Sequence, residues 1–387
     1  MPRIKPWISG RLIAGLLMCG MLQPVLAADD GRVARIGFAG RMMDALTLSA
    51  LQGAELAVDE ANQQRGRNGS LIRFELLPQD DHGSANMATH VAAYFVKSGV
   101  SGVVGHWSSD AAFATAGIYE QAGIAQVNFT STSSELTRRG YKTIFRVVGG
   151  TSDVAASLGD AAVDVLKGER IAVIGNDSLS SKALTEAFVA HLATRSKKTL
   201  FTAAVSAATS DFNNVIRSAT EMQADVIFFS AYVAQTQAFL AAVRRLNVKA
   251  RILLNTGATN QDFSALDNGN FYALEADIPP EQCPPRGAFS QRFHAKYGRP
   301  PSTYSRSAYN AAGALIQAIR HADSSSAAQV TAALHALRYT GLSGEIAFDK
   351  AGNRVNPPYT LYHLEGGSWR SVRSSAAVPD GNARCAR

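Results

Sequence analysis

Two short polar runs carry the side chains best suited to holding a small molecule. Gly105-His106-Trp107-Ser108-Ser109-Asp110 offers hydroxyls and backbone N–H groups where a strand gives way to a helix. The positive end of a helix dipole with such donors suits a carboxylate. Ordinary N-capping by Ser109 or Asp110 explains the same residues. Thr130-Ser131-Thr132-Ser133-Ser134-Glu135 places five hydroxyl residues in a row after another strand. They can line a polar cleft, and Ser133 or Ser134 can cap a short helix. Tyr232 follows a third strand, as a cleft wall with a polar tip or as sheet-edge packing. Enzyme chemistry finds no support. His82, His90 and His106 lack metal-ligand spacing, and no nucleophile elbow or P-loop occurs. Gly37-Phe38-Ala39-Gly40 begins like a glycine-rich loop, but Met43 stands at the third glycine position. No cofactor or metal is expected.

The elements that must position these runs alternate. Strands are predicted at Val33–Phe38, Ile72–Leu76, Gly102–Gly105 and Ile124–Phe129, with helices at Leu48–Asn62, Ala85–Ser98 and Asp110–Ala122 between them. The series restarts with Arg170–Gly175, Leu200–Ala204, Asp225–Phe229 and Arg251–Leu254. Such alternation implies an α/β fold of parallel sheets flanked by helices. Two series imply two lobes. Ligands of open parallel sheets sit beyond the carboxyl ends of the strands. The residues to watch are therefore 105–110, 128–134, 176–181, 230–232 and 255–257.

The chain has 387 residues, 46% hydrophobic and 18% charged, which suits two packed domains and argues against disorder. Its net charge is +7. Arg3, Lys5 and Arg11, an apolar run from Leu12, and Val25-Leu26-Ala27 read as a signal peptide over residues 1–27, too short to span a membrane. Its removal takes Lys+Arg from 38 to 35 against 31 Asp+Glu, leaving +4. The charge then gives no reason to expect a nucleic-acid partner. Cys19 follows Met18, and a lipid-anchored cysteine requires a small residue there. The exported chain keeps Cys283 and Cys385. In an oxidising compartment they form one bridge, or stay as two thiols, or pair outside the chain.

Ordered motifs carry a resemblance. Gln52-Gly53-Ala54-Glu55-Leu56-Ala57-Val58, Asp80-Asp81, Val103-Val104-Gly105-His106, Ile118-Tyr119-Glu120, Ser134 to Tyr141, Phe145-Arg146, Arg170 to Val173 and Asp211-Phe212 follow one another along the mature chain. In order and spacing the chain resembles the periplasmic substrate-binding proteins of ABC transporters, of the leucine/isoleucine/valine-binding type. The resemblance implies a type I fold: two α/β lobes joined by three hinge crossovers, with the ligand between them. The first lobe would be residues 28–150 plus 280–343, the second 151–279 plus 344–373, and the tail 374–387.

By the same resemblance, the carboxylate-binding serine falls on Ser109, with Ser108 beside it. The carbonyl that takes a ligand ammonium falls on Thr130, and the next binding threonine on Thr132. Tyr232 and Tyr304 match aromatic pocket positions. Trp107 stands where the family has an aliphatic wall residue, and two family aromatics fall on Leu46 and Ser180. The family's first-lobe disulfide positions fall on Gly83 and Ser108. The acid that pairs with the ammonium falls on Thr256. A buried ammonium without an acid costs several kcal/mol, so Asp44, Asp110 or Glu275 replaces it, or the ligand carries no ammonium. What the resemblance implies is a periplasmic monomer that delivers a small carboxylate or amino-acid-like ligand to an inner-membrane ABC permease. The alternative is a periplasmic sensor of an amide or aromatic acid that signals to a regulator.

Overall fold

Strand β1 (Val33–Gly40) is buried along nearly its whole length, as the centre of a parallel sheet must be. A computed structural model describes residues 32–66, 71–231 and 233–375. The signal-peptide segment, Tyr232, Cys385 and most of the tail lie outside them. β1 lies between β2 (Arg73–Asp80) and β3 (Gly102–Val104) in a five-stranded sheet of order β2-β1-β3-β4-β5, all parallel. β4 is Ala125–Asn128 and β5 is Ile144–Arg146. β2 runs on past the predicted Leu76 through Pro78. It is an edge strand, where a residue without an N–H is tolerated.

Helices α2 (Ala85–Lys97) and α3 (Ser109–Ala122) cover one face of this sheet, with Phe95, Val103 and Tyr119 in one cluster. α1 (Ala45–Gln63), α10 (Thr303–Ala322) and α11 (Ala327–His335) cover the other around Phe38, Val127 and Leu315. α1 and α10 meet at Gly53, where a Cβ would lie 2.0 Å from the Ser305 carbonyl oxygen. Beside that contact the hydroxyls of Ser49 and Ser305 share a 2.6 Å hydrogen bond. The short α4 (Ser134–Arg138) follows β4, and α9 (Pro284–Tyr297) packs Phe289 and Phe293 against Leu56 of α1.

The second sheet has the order β14-β13-β10-β9-β8-β6-β7. Five of its strands are parallel: β6 (Ile171–Asn176), β7 (Thr199–Val205), β8 (Val226–Ser230), β9 (Arg251–Leu254) and β10 (Phe271–Glu275). β13 (Thr360–Glu365) and β14 (Ser368–Ser374) are antiparallel additions, so this sheet is mixed rather than wholly parallel. α5 (Thr151–Asp160) and α6 (Leu179–Thr194) pack one face around Leu158, Phe188 and Leu192. α7 (Asn213–Glu221) and α8 (Val233–Arg245) pack the other, where Phe239 stacks on Phe229 with centroids 3.9 Å apart.

The chain passes between the sheets three times, at 147–150, 276–283 and 348–359. The third crossing comes after β12, later than residue 344. β11 (Arg338–Gly341) and β12 (Gly344–Ala347) form a hairpin with Gly341 opposite Gly344, and Ile346 and Phe348 enter the first-lobe core. The turn is too tight to leave that lobe. At the second crossing, buried Asp277 accepts from Arg286 of α9 (2.8 Å), Arg306 of α10 (3.3 Å) and the Tyr362 hydroxyl of β13 (3.1 Å). That cluster joins first-lobe helices to a second-lobe strand. Cys283, at the end of the same crossing, is fully buried and disulfide-bonded.

Candidate functional site

The loop after β3 is held by its glycine and its histidine. Gly105 has φ +135°, and a Cβ there would lie 2.7 Å from the Ala39 carbonyl oxygen, so only glycine fits. His106 is fully buried. Its Nδ1 lies 2.8 Å from Asp81 Oδ2 and its Nε2 lies 3.0 Å from the Tyr119 hydroxyl. Burial and then the Asp81 charge push the Tyr119 phenol up, so it stays protonated. The histidine ties the end of β2 to α3 and fixes the loop that carries Trp107, Ser108 and Ser109.

Ser108 is the N-cap of α3, its Oγ accepting from Ala111 N at 3.2 Å. Capping therefore falls one residue before the predicted Ser109 or Asp110. That frees Ser109, the first helical residue, whose Oγ lies 3.0 Å from Ser131 Oγ. Both polar runs thus meet at the start of one helix. The Thr130 hydroxyl donates to the Trp107 carbonyl and closes the loops on each other. Thr132 uses its carbonyl structurally, accepting from Arg146 Nη1 (3.0 Å), Thr151 N (2.8 Å) and Thr151 Oγ1 (2.9 Å). Its hydroxyl has no hydrogen-bond partner among the described residues.

Aromatic rings form the wall beside these hydroxyls. Trp107 meets Phe129 edge-on, centroids 5.7 Å apart, and Tyr304 at 4.7 Å. Tyr304 lies in the first turn of α10 and reaches the second lobe. A Cβ on Gly257 would lie 2.6 Å from its hydroxyl oxygen, and Gly257 has φ +101°. Nearby, Asn260 of the second lobe accepts from Thr303 N (2.8 Å) and Thr303 Oγ1 (2.9 Å). The two lobes therefore touch at the turn after β9, beside half-buried Thr256.

Behind that turn is Glu275, the last residue of β10 and 1% exposed. Its Oε1 accepts from Gly257 N (2.9 Å), Thr259 N (3.1 Å) and Thr259 Oγ1 (2.7 Å). Burial, reinforced by the Asp277 charge, raises this carboxyl to about 7 despite those three donors. Burial, with the charges of Glu275 and Asp44 added, pushes the Tyr304 phenol up.

The structure thus brings together Trp107, Ser108, Ser109, Thr130, Thr132 and Tyr304, with Thr256 across the interface. Ser180 is exposed near the start of α6 and bonds the Ser178 hydroxyl at 3.4 Å; nothing described ties it to the first-lobe loops. Tyr232 lies outside the described residues. Ser131 and His106 escaped the sequence reading. Ser131 lay inside the hydroxyl run without distinction, and His106 was tested only as a metal ligand. No group of three metal-ligating side chains occurs among the described residues. None of their helices is long and apolar enough to cross a membrane.

Two lobes with hydroxyls at strand ends and an aromatic wall at their junction define a small-molecule binding protein. A family model described as periplasmic binding protein matches residues 38–368, and the chain belongs to that family. It is 26% identical over 362 residues to the leucine-, isoleucine-, valine-, threonine- and alanine-binding protein of Pseudomonas aeruginosa, covering 91% of this chain and 94% of that protein. In fold it is similar to the branched-chain amino acid transporter substrate-binding protein LivJ of Streptococcus pneumoniae, solved with isoleucine: TM-score 0.78, 20% identity, covering 89% of this chain and 99% of that one. A solute-binding protein of an ABC transporter from R. palustris, solved with benzoate, is as similar in fold: TM-score 0.77, 16% identity, covering 91% of this chain and 99% of that one.

Proposed function

We propose that this protein captures a small carboxylate or amino-acid-like ligand between its lobes and delivers it to an inner-membrane ABC permease. It does so as an exported periplasmic monomer with Cys283 bridged to Cys385. The observation that carries the reading is the Ser109–Ser131 hydroxyl pair at the start of α3, on the same loop as Trp107 of the Trp107–Tyr304 wall. Paired hydroxyls on a helix N-terminus favour an anion. The names of the relatives support capture for transport over signalling. Thr256 and Trp107 favour a ligand other than leucine. The benzoate-bound neighbour makes aromatic acids reasonable candidates.

A thermal-shift screen of amino acids, aromatic acids, aliphatic acids and amides tests this. Ser109→Ala should abolish stabilisation by a carboxylate, because a hydrogen bond to a charged group contributes about 1.5–3 kcal/mol. Unchanged binding by that variant would remove Ser109 from the site. Branched-chain amino acids giving the only large stabilisation would overturn the argument from Thr256.

A further inference from the structure

With threonine at 256, any acid that faces the ligand must come from elsewhere, and three are close. Asp110 is exposed in the first turn of α3. Asp44 caps α1, its Oδ1 accepting from Leu46 N at 2.8 Å. Both belong to the first lobe, on the same side as Ser109. Glu275 differs on each point: it is buried, it lies in the second lobe, and it is bonded to the turn that carries Thr256.

Its two oxygens are not equivalent. Oε1 takes all three donors of the turn, while Oε2 has no hydrogen-bond partner among the described residues. The Tyr304 hydroxyl, lying over Gly257 from the opposite lobe, has none either. Tyr304 is half-buried, and neither oxygen is among the sealed, partnerless side-chain atoms of the described residues, so both stay open to a third molecule.

We infer that Glu275 Oε2 is the second lobe's anchor for the ligand, so that the protein selects small carboxylates bearing a further hydrogen-bond donor, an ammonium or a hydroxyl. This rests on the carboxylate reading of Ser109. The anchor moves the acid from the end of β9 to the end of β10. The charged or titratable groups facing it are Asp277 from its own segment and Tyr304 and Arg306 from α10. Oε1 is held by N–H and O–H donors, so a proton on this carboxyl belongs on Oε2. Binding an ammonium must displace that proton, and affinity should therefore rise with pH across neutrality.

The test is isothermal titration of the mature chain with two matched series. One is leucine, 2-hydroxy-4-methylpentanoate and 4-methylpentanoate. The other is phenylalanine, 3-phenyllactate and 3-phenylpropanoate. Each offers an ammonium, a hydroxyl or neither on one skeleton. In at least one series a donor-bearing member should bind about tenfold or more above the bare acid. The leading member identifies the donor. In Glu275→Gln the amide oxygen must face the turn, which points the NH2 at the ligand. Preference for the donor-bearing member over the bare acid should then fall about tenfold or more. If ammonium leads, wild-type affinity should rise from pH 6 to 8. That measurement needs no variant, so it stands even if Glu275→Gln folds poorly. Carboxylates that bind wild type without discriminating by donor overturn the Glu275 assignment alone, as does a preference that survives Glu275→Gln. If no member binds, the Ser109 reading fails and takes this inference with it.

Discussion

Glu275→Gln should also change how the empty protein's stability depends on pH. The native carboxyl is raised from 4.5 to about 7, mainly by burial and then by Asp277. For an acid raised in the folded state, the unfolded chain releases its proton first. Between about 4.5 and 7 the native state holds more protons, so stability falls as pH rises through that window. At about 1.36 kcal/mol per unit, the full cost above pH 7 is about 3 kcal/mol. Roughly 1 kcal/mol of it is already present at pH 5, so about 2–3 kcal/mol should appear between pH 5 and 8. Glutamine never ionises and escapes this cost.

Thermal melts of both proteins, without ligand, at each pH from 5 to 8 measure the effect. The variant's Tm relative to wild type should climb across the series by roughly 3 °C, using about 2.1 cal/mol/K per residue for a chain that melts as one unit. Neighbouring groups do not blur the window. Tyr304 is pushed up by burial, and Arg306, lowered to about 10, stays charged throughout. Groups common to both proteins cancel in the difference. A Tm difference that stays flat from pH 5 to 8 would refute the reasoning, because a lost contact alone shifts both ends equally.

Other substitutions test the frame. Gly53→Ala gains up to about 1 kcal/mol of helix propensity but drives a methyl into the Ser305 carbonyl; a net loss of about 1–3 kcal/mol in urea melts is expected, and a neutral result would contradict the close approach of α1 and α10. Asp277→Asn leaves buried Arg286 and Arg306 without their counter-charge and should cost about 3–5 kcal/mol by the same assay. Trp107→Ala should weaken the aromatic ligands of the titration series more than the aliphatic ones, since the lost wall is an aromatic face; equal losses would argue against that wall.

β5 and β10 passed unread, but the four strands read in each sheet were legible because buried parallel strands are continuous apolar runs: Ile171–Asn176 and Val226–Ser230 are buried at every position. β14 was not, since Ser368–Ser374 is largely exposed and carries no apolar run to mark it. The site divides in the same way. The rule that ligands lie beyond strand ends pointed to Ser109 and to the hydroxyl run after β4, and the structure brings the two together at Ser109 and Ser131. It expected the cap at Ser109 or Asp110 where the structure uses Ser108, because a capping hydroxyl and a ligand-binding one differ only in where the helix begins. Nor could it rank the acids, since burial and lobe membership depend on contacts between distant segments.

Those contacts bear on why the acid at the end of β10 matters. A ligand held by Ser109, Ser131 and Trp107 alone touches one lobe. It would bind equally well however the second lobe is placed, and equal affinity for two states shifts nothing between them. To report its presence through the arrangement of the lobes, the ligand needs a partner on the far side. Direct lobe contacts at Asn260–Thr303 and Gly257–Tyr304 involve protein atoms alone, so they bias the arrangement but cannot sense loading. An anchor at Glu275 Oε2 would, because its bond would form only with a donor on the ligand. Threonine at 256 is then compatible with a second-lobe hold on the ligand: its turn anchors Oε1 of Glu275, and the proposed anchor is the oxygen that the turn does not use.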